Sequence, residues 1–127
     1  MSTSSGPLTL ELLALPKEVP VLRRTVREHL GGPCEEVQLC VSEILGNVIR
    51  HVGEGTPVVV HISGTAGGRT RVEVTDPDPR ALPVLLRATG DDERGRGMAL
   101  LDAVSLRWGV VLRGGDRKTV WCEIAGT

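Results

Sequence analysis

The chain has no phenylalanine and no tyrosine, and its aromatic rings besides histidine are two tryptophans in 127 residues. Its core must therefore be built from valine, leucine, isoleucine and alanine. Single-stranded nucleic acid is commonly held by stacking bases on aromatic rings, and that mode is nearly excluded. An excess of one charge is missing too. Fifteen basic and sixteen acidic residues give a net charge of −1, so no global basic field attracts nucleic acid or a membrane surface. No apolar run approaches the roughly 20 residues that span a bilayer. The opening Met-Ser-Thr-Ser-Ser-Gly-Pro has no basic stretch followed by an apolar one, so no secretory leader is expected. Three cysteines, at positions 34, 40 and 122, are odd in number and scattered, which predicts reduced, inert thiols in a cytoplasmic protein. A Gly-Lys-Ser/Thr phosphate loop is absent, as is any His/Asp/Glu cluster with metal-ligand spacing, so a metal hydrolase is disfavoured. There is no internal repeat.

What remains suits one domain over residues 8–125 behind a tail of residues 1–7. Residues 8–15 read as an apolar strand ended by Pro16, and residues 17–30 as a helix stopped by Gly31-Gly32. Arg23, Arg24 and Arg27 are expected on that helix's solvated outer face. Residues 34–52 form the central helix, with Pro33 near its start and Gly53 beyond its end. Strands over 58–62 and 70–75 make an antiparallel hairpin. Asp76-Pro-Asp-Pro-Arg80 is a rigid acidic turn, because two prolines forbid continuing the sheet. Residues 81–94 read as a short helix and a lid beside a ligand site. A helix over 98–104 and two closing strands over 106–112 and 118–124 complete an α+β, two-layer sandwich. Its helices lie on one face of a mixed, mostly antiparallel sheet.

In the central helix, Glu43, Asn47 and His51 are spaced four apart, a step of only about 40° past a full turn, so they form one polar stripe. Val37, Cys40, Val41, Ile44, Leu45, Val48 and Val52 fall on the adjacent apolar arc. By itself the stripe is the edge of an amphipathic helix. With two later stretches it also suits a nucleoside triphosphate and Mg²⁺. The metal takes oxygen ligands and keeps several waters, so the amide oxygen of Asn47 suffices from the protein side. One turn away, Glu43 can orient or deprotonate the attacking hydroxyl or water. Gly95-Arg96-Gly97 at a helix start offers close backbone approach and positive charge to phosphates. Asp76, at a strand end, is an acceptor for an adenine amino group, though an Asp there is commonly a turn former.

Three stretches together resemble the histidine-kinase-like ATPase superfamily of sensor kinases, gyrase B and MutL. They are Glu43-Ile-Leu-Gly-Asn47-Val-Ile-Arg50-His51, Val72-Glu-Val-Thr-Asp76 and Gly95-Arg96-Gly97-Met-Ala-Leu-Leu. The chain is similar, more closely, to small anti-sigma-factor serine/threonine kinases and to the short ATP-binding regulatory proteins of actinobacteria. Those carry a D-A-V-x-x-x-W-G strand like Asp102-Ala-Val-Ser-Leu-Arg-Trp-Gly109 here. The resemblance implies that Glu43 is the general base and that Asn47 binds Mg²⁺. It also implies that Asp76 bonds the adenine amino group and that Gly95, Arg96 and Gly97 surround the phosphates. Arg50 and His51 stand where the helix end faces the nucleotide. One departure is plain: where the family has D-x-G-x-G, both glycines are replaced, by Asp78 and Arg80.

The resemblance thus implies an ATP- and Mg²⁺-binding cytoplasmic regulator that phosphorylates or sequesters a protein partner, a sigma factor or an anti-sigma antagonist. A homodimer through the first strand and helix is also implied, with neither nucleic acid nor membrane as partner. The alternative is a non-catalytic interaction module of the same fold, with weak or no nucleotide binding.

Overall fold

A computed structural model of the chain describes residues 6–78 and 101–125. The expected lid over 81–94, and Gly95, Arg96 and Gly97, lie outside these residues. The described elements are β1 (Leu8–Leu13), α1 (Glu18–Leu30), α2 (Glu35–His51), β2 (Pro57–Gly64), β3 (Thr70–Asp76), β4 (Arg107–Arg113) and β5 (Arg117–Ile124). The Asp-Ala-Val…Trp-Gly stretch is not one strand, as its first residues are a helical turn over 101–104 and β4 starts only at Arg107.

The strands lie in the order β1-β2-β3-β5-β4. Every described pairing is antiparallel, so the parallel component expected of a mixed sheet is absent among them. Chain reversals explain this. Hairpins join β2 to β3 and β4 to β5, and two helices, an even number, return the chain from β1 antiparallel into β2.

Period-two alternation sorts the side chains into two faces. Leu10, Val60, Val74, Val120 and Val110 form one continuous row across the sheet, and Leu8, Ile62, Val72, Cys122 and Trp108 form the next. Leu22 and Val26 of α1 and Val37, Cys40, Val41, Ile44, Leu45 and Val48 of α2 cover this side. Among the described residues valine supplies half of the buried apolar side chains, in keeping with the lack of phenylalanine and tyrosine. Each such side chain contributes about 1.5–3 kcal/mol by leaving water. α2 has Glu35 and Glu36 in its first turn and Arg50 and His51 in its last, which suits its dipole.

Arg23 is not on a solvated face. Its guanidinium donates to Ser42 Oγ at 2.7 Å and to the Gln38 carbonyl at 3.1 Å, while Gln38 Nε2 donates back to the Arg23 carbonyl at 2.9 Å. The residue is a strut between α1 and α2. Among the described residues no helix is long and apolar enough to cross a membrane.

The face away from the helices carries its own cluster. Glu123 of β5 is bonded by Arg107 Nε and Arg71 Nη1, both at 2.9 Å, with Arg69 at 3.5 Å. The hydrogen bonds from Arg107, then those from Arg71 and Arg69, outweigh desolvation and hold its carboxyl at about 2. The Arg71 guanidinium lies 4.2 Å from the Trp121 ring centroid.

Candidate functional site

α2 runs in the same sense as β3. Glu35 and Glu36 at its start line a cavity of about 320 Å³ together with Thr70, the first residue of β3, and Ile124, the last of β5. The other end of α2, with Asn47, Arg50 and His51, is therefore directed toward the Asp76 end of β3 and the Lys118 end of β5.

Glu43, Asn47 and His51 all lie within α2, on the stripe that their spacing predicts. Glu43 is half-buried, and Asn47 is only 7 % exposed. The Asn47 Oδ1 atom is buried and has no hydrogen-bond partner among the described residues. A buried amide oxygen without a donor costs about 1–3 kcal/mol, so a fold that retains one has a reason to keep that oxygen available. It is a hard oxygen of the kind Mg²⁺ selects, and the residue fits the metal on this ground. His51 is half-buried at the last position of the helix. Arg50 is exposed and folds back along α2, its Nη1 standing 3.1 Å from where a Cβ on Gly46 would be.

Asp76 ends β3 with its side chain fully buried on the helix-facing side, and it is not a lone acceptor. Lys118 Nζ donates to its Oδ2 at 2.7 Å, and the Asp78 backbone N–H donates to its Oδ1 at 2.8 Å. Lys118 Nζ also donates to the Asp78 carbonyl at 3.1 Å. Asp76 thus caps the Pro77-Asp78 turn and pairs with Lys118, with both of its carboxylate oxygens engaged from within the chain.

Sequence reasoning missed Lys118. It lies 42 residues from Asp76, and nothing local in Arg-Lys-Thr-Val marks it. The available signal was a lysine at the inward phase of a strand whose other inward residues are apolar. The tryptophan signature, in contrast, is explained: Trp108 Nε1 donates to Asp102 Oδ1 at 2.8 Å, tying the helical turn over 101–104 to β4.

Known proteins share this fold. The sequence pattern of the histidine kinase-like ATPase domain matches residues 12–122. The uncharacterized protein SCO4941 of Streptomyces coelicolor is 54% identical over 87 residues, covering 68% of this chain and 82% of its own. Among solved structures, the RsbU and RsbW domains of Rv1364c from Mycobacterium tuberculosis superpose with a TM-score of 0.66 at 20% identity, over 94% of this chain and 32% of that one. This chain thus spans about a third of the mycobacterial one. The SiaB–SiaC complex from Pseudomonas aeruginosa gives a TM-score of 0.65 at 17% identity, over 92% of this chain and 88% of that one. These two likenesses agree with the described fold of five antiparallel strands under two helices. With the family pattern covering nearly the whole chain, it belongs to the histidine kinase-like ATPase domain family.

Proposed function

We propose that the chain binds ATP with Mg²⁺ and acts as a regulator of the anti-sigma serine/threonine kinase type, phosphorylating or sequestering a protein partner that controls transcription. The observation that carries this reading is the unsatisfied, buried Oδ1 of Asn47, one helical turn from Glu43. Asn47 would hold the metal, and Glu43 would orient a Ser or Thr hydroxyl of the partner and take up its proton as the oxygen attacks the terminal phosphorus and ADP departs. Mg²⁺, when bound, supplies neutralisation of the phosphate charge. Gly95, Arg96 and Gly97 would surround the phosphates, with Arg50 and His51 at the adjoining helix end. A protein partner is supported by the neighbours, one solved as a SiaB–SiaC complex and the other joining RsbU and RsbW domains. Self-association is supported by β1, an edge strand among the described ones, with Leu13 and Val21 of α1 each more than 40 % exposed.

A second reading, an interaction module without catalysis, is favoured by one observation: both oxygens of Asp76 are engaged from within the chain. Calorimetric titration with a non-hydrolysable ATP analogue, with and without Mg²⁺, separates the two. Micromolar binding, about −8 kcal/mol, that requires Mg²⁺ and is lost in Asn47→Ala supports the nucleotide site. No heat at millimolar ligand sinks it and leaves the interaction module.

A further inference from the structure

We propose that Lys118 is a specificity-determining residue of the nucleotide site, donating a hydrogen bond to N1 of an adenine whose 6-amino group donates to Asp76. The inference rests on the nucleotide reading above and names a group that reads the base.

Lys118 and Asp76 are directly opposed in the β5–β3 register, so the strands, not a loop, set their spacing. Their side chains are 2 % and 0 % exposed, on the side that faces the helices. An ammonium carries three N–H donors. One goes to Asp76 Oδ2 and one to the Asp78 carbonyl, and the third has no partner among the described residues. The Asp76 carboxylate has room for about four donors and receives two from these residues. Among the described residues the pair therefore leaves one donor open beside open acceptor positions, out of contact with bulk water. A buried ammonium is costly until its donors are taken, so an acceptor brought by a ligand is bound with unusual advantage.

The Watson–Crick edge of adenine is the complement of such a pair, with an amino donor at C6 beside the acceptor N1. A lone carboxylate reads the amino group only. With Lys118 beside it, the site reads two adjacent atoms and distinguishes adenine from a purine protonated at N1, whose N1–H would meet the ammonium donor head on. Lys118 thus supplies a check on the base that does not depend on the two glycines replaced by Asp78 and Arg80.

The test compares a non-hydrolysable ATP analogue with its 1-deaza counterpart, in which N1 is a C–H, by titration in the presence of Mg²⁺. On the unaltered chain the 1-deaza compound is expected to bind roughly tenfold or more weakly. In Lys118→Met, checked for native circular dichroism, the two compounds are expected to bind alike. Equal binding of the two by the unaltered chain overturns the proposal while leaving the nucleotide reading intact, and this comparison needs no variant to fold. Tighter binding of the parent analogue by Lys118→Met also overturns it, because the lysine would then be a plug. If the unaltered chain binds neither compound, the nucleotide reading itself falls and takes this inference with it.

Discussion

Gly109 of β4 sits opposite Trp121 of β5, and a Cβ added to Gly109 would stand 3.1 Å from three atoms of the indole ring. The ring in turn carries the Arg71 guanidinium 4.2 Å from its centroid. Gly109→Ala is expected to push the ring off its seat, disturb Arg71 and destabilise the fold by about 1–3 kcal/mol. Urea denaturation monitored by tryptophan fluorescence measures this. An unchanged midpoint would show that the ring gives way freely.

Gly46→Ala should have the opposite sign. Its near neighbour is the tip of Arg50, an exposed and flexible side chain that can swing aside. The helix then gains about 0.5–1 kcal/mol from replacing an interior glycine. A lowered melting temperature would contradict this.

Lys118→Met or Asp76→Asn alone leaves a buried charge without its partner, which costs about 3–5 kcal/mol. The double variant Asp76→Asn/Lys118→Met removes both charges, so its loss is expected to be smaller than the sum of the single losses. A double-mutant cycle in urea reads the coupling directly, and simple additivity would mean that the pair is not formed in solution.

Glu123 gives a pH signature. The unfolded chain releases this proton near 4.5 and the folded chain at about 2. The stabilisation is therefore present in full above pH 4.5 and is lost as the pH falls through about 2. The stability gap between the unaltered chain and Glu123→Gln should be flat from about pH 7 to 5 and shrink below. A gap that widens on acidification would exclude the arginine cluster as its source.

Asn47→Leu removes an unsatisfied buried oxygen and puts a hydrocarbon of similar size on a helix that packs on the sheet. Without ligand the variant should be more stable by about 1 kcal/mol, while Mg²⁺-dependent nucleotide binding is lost. Calorimetric melting with and without nucleotide measures both effects, and a strong destabilisation would mean that the amide is structural.

The helix stripe, the two hairpins and the apolar arc were legible because they depend on periods of 3.6 and 2 within one element. Asp76 was legible as a residue but not as an ion pair. Its partner comes from a strand 42 residues on, and only the register shows the two opposed. Arg23 was misread for a similar reason. Spacing identified its face of α1 but could not show that α2 brings Ser42 and Gln38 to that face. The arginines around Glu123 come from β3, its preceding turn and β4, and they converge because β5 lies between β3 and β4.

That placement of β5 has a consequence for how the molecule is built in time. Of the described strands it is synthesised last, yet it fills an inner position of the sheet. Until it inserts, β3 has an open edge and Asp76 lacks the cation opposite it. Such long-range closure is slow. The Asp76 end of the sheet can therefore close only once β5 is in place, and a chain cut before Arg117 loses the middle of its sheet instead of a margin.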